Sequence, residues 1–599
     1  MNIEPQQMFS KRKDHFGERE QTYIYESSFF SVIRVMVFVA LLILVVYFAN
    51  SGEPVGIVLT ILILLPAFLI VLKHHLRKQY LVNWNKTLKN INEDEIRRIN
   101  LDFSNMDQGG DFVDKNHPYG TDLDLFGKSS LFQLLNRTIT NYGRNSLAYL
   151  LKFRSSTEFI LLQQEAVKEV AKNLDWRQEF QASGLIQKAK NLDVKGVLEW
   201  KSGVDLVKSP KGLILTGWLT RSIFLLSIIL VIFGFISFEW VGIPFLINLL
   251  LLVRLSKTTQ KIYEKTGESY KVLKVYAALI KSAESSEFSS KRWQDLIKAF
   301  DLENSKASKR IKQLGDIING LDARNGMMYH ILNAFLLLDY HWVGKAEQWK
   351  NKYSENIHTW FEAIGEIEAI TSIAGFSYAN PEFVFPTIVS RSHQFKAIAL
   401  GHPLIPKDKR ISNDFEHAVD KQITLVTGSN MSGKSTFLRT VGINMVLALA
   451  GAPVCARQLE LSNIQLFTSM RTLDNLEENI SSFYAELTRI KQLLELLNQG
   501  EPVLFMLDEI LKGTNSKDRH KGAVALTKQL SKSDASGFVS THDLELSYLE
   551  NQLPQVKNYS FESDIRDGDL YFDYKIKQGV TESFNASILM EKIGINMGK

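Results

Sequence analysis

The distribution of apolar and polar positions divides the 599-residue chain into three kinds of sequence. Residues 1–28 are polar, with Lys11, Arg12, Lys13 and Arg19, and read as a cytoplasmic N-terminal tail. Val35–Phe48 is wholly apolar and extends back to Phe29 if Arg34 snorkels; Val55–Leu72 is a second apolar run. The turn between them, residues 50–54, carries no positive charge, and Lys73, His74, His75, Arg77 and Lys78 follow the second run. Basic outer flanks around an uncharged or acidic turn predict a transmembrane hairpin over 29–72 with both ends in the cytosol. A cleaved leader does not fit, because the basic region is long and a second apolar run follows it.

A second hairpin is predicted over 222–253. Ser222–Phe238 is apolar, Glu239 interrupts, and Trp240–Val253 is apolar again, with Lys208, Lys211 and Arg221 before and Arg254, Lys257 and Lys261 after. The second half is short for a span, so a re-entrant or interfacial piece is the alternative. The remainder is helical or α/β in pattern. Residues 73–124 read as a linker: basic and helical to Leu101, then rich in Asp, Gly, Asn and Pro. Helical apolar spacing runs through 125–210 and resumes over 257–390, where Thr258–Ala283 and Lys291–Ile318 read as long helices. Tyr329, Leu332, Phe335, Trp342, Trp349 and Trp360 form an aromatic and aliphatic stripe read as core packing.

From 395 onward short β-branched runs alternate with helical ones, the pattern of a parallel α/β sheet. Gln422–Thr427 is a buried strand, Phe437–Ala450 a helix, and between them Gly428, Ser429, Asn430, Met431, Ser432, Gly433, Lys434, Ser435 and Thr436 fit the phosphate-loop pattern G-x-x-x-x-G-K-[ST]. Lys434 would reach the β- and γ-phosphates of ATP, and the Ser435 hydroxyl would ligate Mg2+. A second strand, Pro502–Leu507, ends in Asp508 and Glu509. Asp508 would hold Mg2+ and Glu509 would orient and deprotonate the attacking water. A third strand ends at Ser540, and His542 just beyond it can contact the γ-phosphate. Between the first two strands, Ser481 or Ser482 would cap a helix carrying Phe483 and Glu486.

Charge and composition change this picture little. The net charge of +5 is small for the length, so nucleic acid is neither required nor excluded. Cys455 is the single cysteine, which rules out an internal disulfide, and its place after a Gly-Ala-Pro turn favours burial.

These residues resemble the MutS family of ABC-type ATPases. The stretch from Thr427 to Thr436 is similar to that family's TGPNMGGKST, Asp508–Thr514 to DEIGRGT, Ser540–His542 to its ATH segment, and Ser481, Ser482, Phe483 and Glu486 to the signature STF..E. Gly401, His402 and Pro403 with Asn413 and Asp414 resemble the lead-in to the loop. Ser130–Thr138 with Gly143 and Arg144 resembles the start of the family's helical core. The resemblance implies an α/β P-loop (ABC-type) ATPase domain over 395–599, an all-α core and lever domain before it, and a homodimer. Each phosphate loop would be completed in trans by Ser481 and Ser482 of the other copy. In the family an aromatic ring stacks on adenine just before the Asn-Asp pair; Ile411 and Ser412 stand there, and Phe415 is the substitute. Residues 1–100 leave no room for a mismatch-reading domain, the second hairpin occupies part of the clamp region, and the usual C-terminal dimerising helices are not evident. The expectation is a multi-pass protein of the cytoplasmic membrane, held in the lipid bilayer with its ATPase domain in the cytosol. Its cycle would couple to DNA or, alternatively, to a protein client with no DNA role.

Overall fold

The computed structural model describes residues 4–187, 189, 192–203, 206–267, 269–302, 305–471, 482–566 and 569–580. Two helices of 46 residues open the chain, α1 (Pro5–Asn50) and α2 (Pro54–Ile99), each roughly 70 Å long. Both exceed the apolar segments within them, and the excess packs as an antiparallel pair onto the body of the protein. Residues 5–28 are therefore not a free tail. Phe9 is buried edge-on against Tyr378, Arg12 pairs with Asp175 at 2.6 Å, and Lys89 pairs with Glu20 at 3.2 Å. Residues 73–99, expected as linker, continue α2 and end in a buried charge cluster. There Glu95 accepts two hydrogen bonds from Arg137, at 2.6 and 2.8 Å.

The helical body follows as α3 (Leu131–Leu135), α4 (Asn141–Lys152), α5 (Thr157–Ala171), α6 (Leu174–Leu185), α7 (Lys195–Lys201), α8 (Pro210–Ile232), α9 (Gly242–Thr266), α10 (Ser269–Glu284), α11 (Lys291–Lys298), α12 (Ala307–Asp322), α13 (Met327–Leu336), α14 (Leu338–Tyr353) and α15 (Asn356–Ala379). Two expected long helices are broken. The first divides between α9 and α10 around Gly267. The second gives way to a small antiparallel pair, β1 (Asp301–Leu302) and β2 (Ser305–Lys306), between α11 and α12. Like α1 and α2, α8 and the run Phe238–Thr266 are long and apolar enough to cross a membrane. The stripe expected in the core divides: Tyr329, Trp349 and Trp360 are buried, whereas Leu332 and Phe335 are exposed on α13.

The C-terminal part is α/β. Its strands are β3 (Thr387–Val389), β4 (Phe395–Leu400), β5 (Asn413–Glu416), β6 (Ile423–Gly428), β7 (Gln458–Ser462), β8 (Gln465–Ser469), β9 (Val503–Asp508), β10 (Ala535–Ser540), β11 (Val556–Arg566) and β12 (Asp569–Gln578). Its helices are α16 (Lys434–Leu449), α17 (Ser482–Asn498) and α18 (Ser516–Leu530). A six-stranded sheet runs β12-β11-β6-β10-β9-β8, parallel throughout except for β12, and a four-stranded sheet runs β3-β7-β4-β5. Strands β6 and β10 are buried at every residue because helices cover both faces. Val426 and Met506 pack with α16, while Ile423, Leu425 and Leu507 pack with α17 and α18. The loop before α3 straps this domain to the body: Asp122 accepts from the backbone N–H groups of Met470 and Arg471 and from the Thr468 hydroxyl. Cys455 is buried, and burial pushes its thiol up to about 11.

Candidate nucleotide site

Parallel pairing of β6, β10 and β9 brings their C-terminal ends side by side, the usual place for a ligand in an open α/β sheet. Gly428 ends β6 at φ +150°, and a Cβ there would lie 2.7 Å from the Phe561 carbonyl oxygen. Gly433 precedes the first turn of α16 at φ +107°, a left-handed conformation that favours glycine. The loop between them projects Met431, 81% exposed, at φ +66°.

Lys434 opens α16 and is buried, its Nζ donating to the carbonyls of Gly428 and Ser429 at 3.0 Å each. Burial lowers its pKa, opposed by the charges of Glu509 and Asp508. From β10, His542 Nε2 lies 3.5 Å from Lys434 Nζ and 2.9 Å from Glu509 Oε1. Glu509 takes φ +52°, and its N–H donates to the Ser540 carbonyl at 3.0 Å, which turns the carboxylate out of line with β9. Lys512 Nζ lies 3.0 Å from Glu509 Oε2. The hydrogen bond with His542 first, and Lys512 after it, hold the Glu509 carboxyl down to about 2 against the opposing effect of burial.

A site for Mg2+ and phosphates needs polar atoms that the protein leaves unpaired. Asp508 Oδ1, Ser429 Oγ, Ser432 Oγ and Ser540 Oγ are buried and have no hydrogen-bond partner among the described residues. Such atoms are costly unless something polar meets them, and their grouping at the loop and the ends of β9 and β10 fits a metal-bound polyphosphate. Next to them a cavity of about 740 Å3 is lined by Glu509, Lys512, Lys517, His520, His542 and Asp543. On its wall His520, Asp543 and Glu545 present ligand atoms within 4.8 Å of one another, with His520 Nδ1 already 2.6 Å from Asp543.

Lys434, Asp508, Glu509 and His542 thus share one site, with Ser435 in the first turn of α16. Ser481 lies outside the described residues, and α17 begins at Ser482. Phe415 is not available to a base. It is buried in an aromatic cluster with Phe395, His417, Phe437, Phe538 and Tyr559, because β5 turns it into the space between the two sheets. The half-exposed ring beside the loop is Tyr574 of β12, which a Cβ on Gly433 would approach to 3.1 Å. Asn413 holds that strand, its amide donating to the Tyr574 carbonyl at 3.1 Å.

Two further contacts were not visible in the motifs. The Glu486 carboxylate of α17 accepts from the backbone N–H groups of Leu511 and, at 3.1 Å, Lys512. Gly513 lies so close to Phe483 that a Cβ would sit 2.5 Å from that side chain. The helix after the signature segment therefore grips the turn that carries Glu509. The clue in sequence was an acidic residue at fixed distance from the signature serines, but its target lies 25 residues on.

Residues 424–592 match the family model MutS domain V. Similar curated proteins include the DNA mismatch repair protein MutS of Staphylococcus haemolyticus, 29% identical over 41% of this chain and 28% of the relative. That of Thermotoga neapolitana is 29% identical over 39% and 29%, and that of Staphylococcus aureus 27% identical over 52% and 34%. The chain thus spans about a third of the length of the curated relatives it matches. Phosphate loop, strand-end acids and family match agree, and the C-terminal region of this chain is the P-loop ATPase domain of the MutS family.

Proposed function

We propose that the chain is a membrane-anchored MutS-family ATPase that binds and hydrolyses ATP at composite sites in a homodimer and couples that cycle to DNA. The observation that carries the ATP chemistry is the meeting of Lys434, Glu509 and His542 beside the unpaired Asp508 Oδ1. The backbone of residues 428–436 and the N-terminus of α16 cradle the phosphates. Lys434 exchanges two loop carbonyls for phosphate oxygens. Ser435 and Asp508 would hold Mg2+, which would neutralise charge on the phosphates. Glu509 is held ionised near neutral pH by His542 and Lys512, and a carboxylate held that low is a weak base. Its part is to orient the attacking water and accept the proton late, which suits a loose phosphoryl-transfer transition state that asks little of a base. His542 reaches the γ-phosphate, and Tyr574 offers the base the surface that Phe415 cannot. Ser481 and Ser482 complete the site in the other copy.

Four long apolar helices with basic flanks support anchoring in the cytoplasmic membrane with the ATPase domain in the cytosol. The DNA coupling rests on the relatives, which are DNA mismatch repair proteins by name. One observation favours the second reading, a protein client with no DNA role. The lever α14 packs directly on α8, with a Cβ at Gly217 falling 2.9 Å from Tyr340 and one at Gly344 falling 2.5 Å from Ile214. Motion of the lever would then be delivered to membrane helices.

The full chain in nanodiscs tests both parts. A mixture of Lys434→Ala chains with Ser481→Ala/Ser482→Ala chains regains ATP turnover that neither has alone if the site is shared; no recovery refutes the composite site. Fluorescent duplex, mismatched and branched DNA should bind with affinity that falls steeply as salt rises, and should stimulate turnover. Failure of every DNA form to bind or stimulate eliminates the DNA coupling and leaves the protein-client reading.

A further inference from the structure

Helix α13 is built inside out. Its sequence, MMYHILNAFL, holds no Asp, Glu, Lys or Arg. Met327, Met328, Ile331, Leu332 and Phe335 recur at helical spacing on one face, and all five are exposed, Met327 at 83% and Met328 at 65%. Of its polar residues, Tyr329 and Asn333 point inward and are buried, and His330 is exposed. Tyr329 Oη donates to Asp339 Oδ1 at 2.8 Å, and Asn333 Oδ1 accepts from the Asp339 N–H at 2.9 Å. A helix facing water shows the opposite arrangement.

The exposed face continues an apolar surface. The Phe335 ring lies 5.5 Å from Phe224 of α8 and 5.2 Å from Phe245 of α9, centroid to centroid. The last carbonyls of α13, which water would satisfy on an exposed helix, are met by side chains of those two helices. Asn248 Nδ2 donates to the Phe335 oxygen at 3.1 Å and Arg221 Nε to the Leu336 oxygen at 2.8 Å. The chain then reverses at the fully buried Leu337, φ +45°, and α14 runs back along α8, with Tyr340 Oη donating to the Leu251 carbonyl at 3.0 Å. The start of α13 lies near the far end of α9, where Tyr263 meets Asn325. So α13 descends alongside α9 from the level of its basic flank, and its tip meets α8 at Arg221, the cytosolic edge of the hairpin, with the Phe335 ring one turn further in against Phe224 and Phe245. Backbone at bilayer depth survives where protein satisfies its polar groups, and this tip is satisfied in that way.

We propose that Met327–Leu336 is a membrane-edge helix whose tip enters the cytosolic leaflet beside the α8–α9 pair and contacts lipid acyl chains through Ile331, Leu332 and Phe335, with Met327 and Met328 at headgroup level. It rests on the membrane-anchored reading, since the lipid face of α13 is an extension of the face of α8 and α9. Through the buried turn at Leu337 it makes α14 a lever with one end seated in lipid.

The test uses the full chain in phosphatidylcholine/phosphatidylglycerol vesicles, with Cys455 replaced by Ser and a single nitroxide-labelled cysteine at position 331, 332 or 335. Controls are labelled at Ile229 of α8 and at Tyr149, an exposed residue of α4. Collision with oxygen against a water-soluble nickel chelate reports depth. The expected result is an oxygen-to-nickel ratio at 331, 332 and 335 several-fold above that at 149 and rising toward that at 229 from 331 to 335. Nickel access at 331, 332 and 335 equal to that at 149, with 229 protected, overturns the proposal and leaves the anchoring intact. Nickel access at 229 as well overturns the anchoring itself. Protection from both reagents with spin–spin broadening at 331 shows that a second copy covers the face, and also overturns the proposal.

Discussion

The joint between α2 and the helical body rests on one carboxylate among three arginines, and replacing Glu95 with Gln tests what that joint is worth. Glu95 and Arg137 are each about 5–6% exposed at the side chain and share a two-bond contact. Arg98 Nη1 lies 3.8 Å from the same carboxylate. Arg177, also buried, stacks on Tyr378 with its guanidinium 5.0 Å from the ring centre. Burial lowers the pKa of both Arg98 and Arg177 to about 10. Burial alone would raise the Glu95 carboxyl, but Arg137 first, then Arg98 and Arg177, hold it below the ordinary 4.5. Removing one partner of a buried pair leaves the other charge uncompensated and costs about 3–5 kcal/mol. Arg137 keeps the carbonyls of Leu134 and Leu135 as acceptors, which places the loss at the lower end. The assay is hydrogen exchange of residues 85–99 and 174–185 in the full chain in nanodiscs, because local opening is well defined where global unfolding of a multidomain protein is not. The variant should exchange roughly a hundred-fold faster there, or more, with α16 and β6 unchanged. The folded pKa of Glu95 is depressed, so its contribution is present above about 4.5 and is lost as pH falls through the folded value. Protection in the native chain should therefore decline on acidification, and the Gln variant should not show that decline. Exchange within a few-fold of the native chain would refute the reasoning.

Glu486→Gln weakens the charge-assisted hydrogen bonds to Leu511 and Lys512, worth about 1.5–3 kcal/mol. If they position Glu509, kcat falls roughly 10- to 100-fold in steady-state ATP hydrolysis while nucleotide affinity holds; loss of affinity instead would make the contact merely structural. His542→Ala removes the leading cause of the low Glu509 pKa and Lys512→Met a lesser one. Both favour the protonated carboxyl, so the acid limb of the pH–rate profile should move to higher pH in both, further in His542→Ala. A limb that stays in place would show that Glu509 does not control it.

What could be read along the chain and what could not divide by range. The phosphate loop, Asp508 and Glu509 were legible because their chemistry sits in consecutive residues between a strand and a helix. Glu486 was not, because its contact is fixed by how α17 lies on the turn after β9, and Lys512 was not, because its pairing depends on that turn folding its side chain back three residues onto Glu509. Phe415 was misassigned because motif position says where a residue is in sequence, not which way its strand turns it. The polar first 28 residues looked like a tail. Two of their apolar positions, Phe9 and Phe16, prove to be contacts that seat α1, Phe16 beside Leu88 and Ile91. The break between α11 and α12 carries neither Pro nor Gly, so nothing local announced it. Leu332 and Phe335 have the right spacing for a core, and spacing cannot tell a protein neighbour from a lipid one.

Hydrolysis by Glu509→Gln is the most direct test. In a single-turnover measurement with excess enzyme and labelled ATP with Mg2+, the variant should bind ATP as the native chain does and hydrolyse it at least ~100-fold more slowly, accumulating the ATP-bound form. Normal turnover by Glu509→Gln would contradict the site as assigned, whatever the membrane or the DNA contributes.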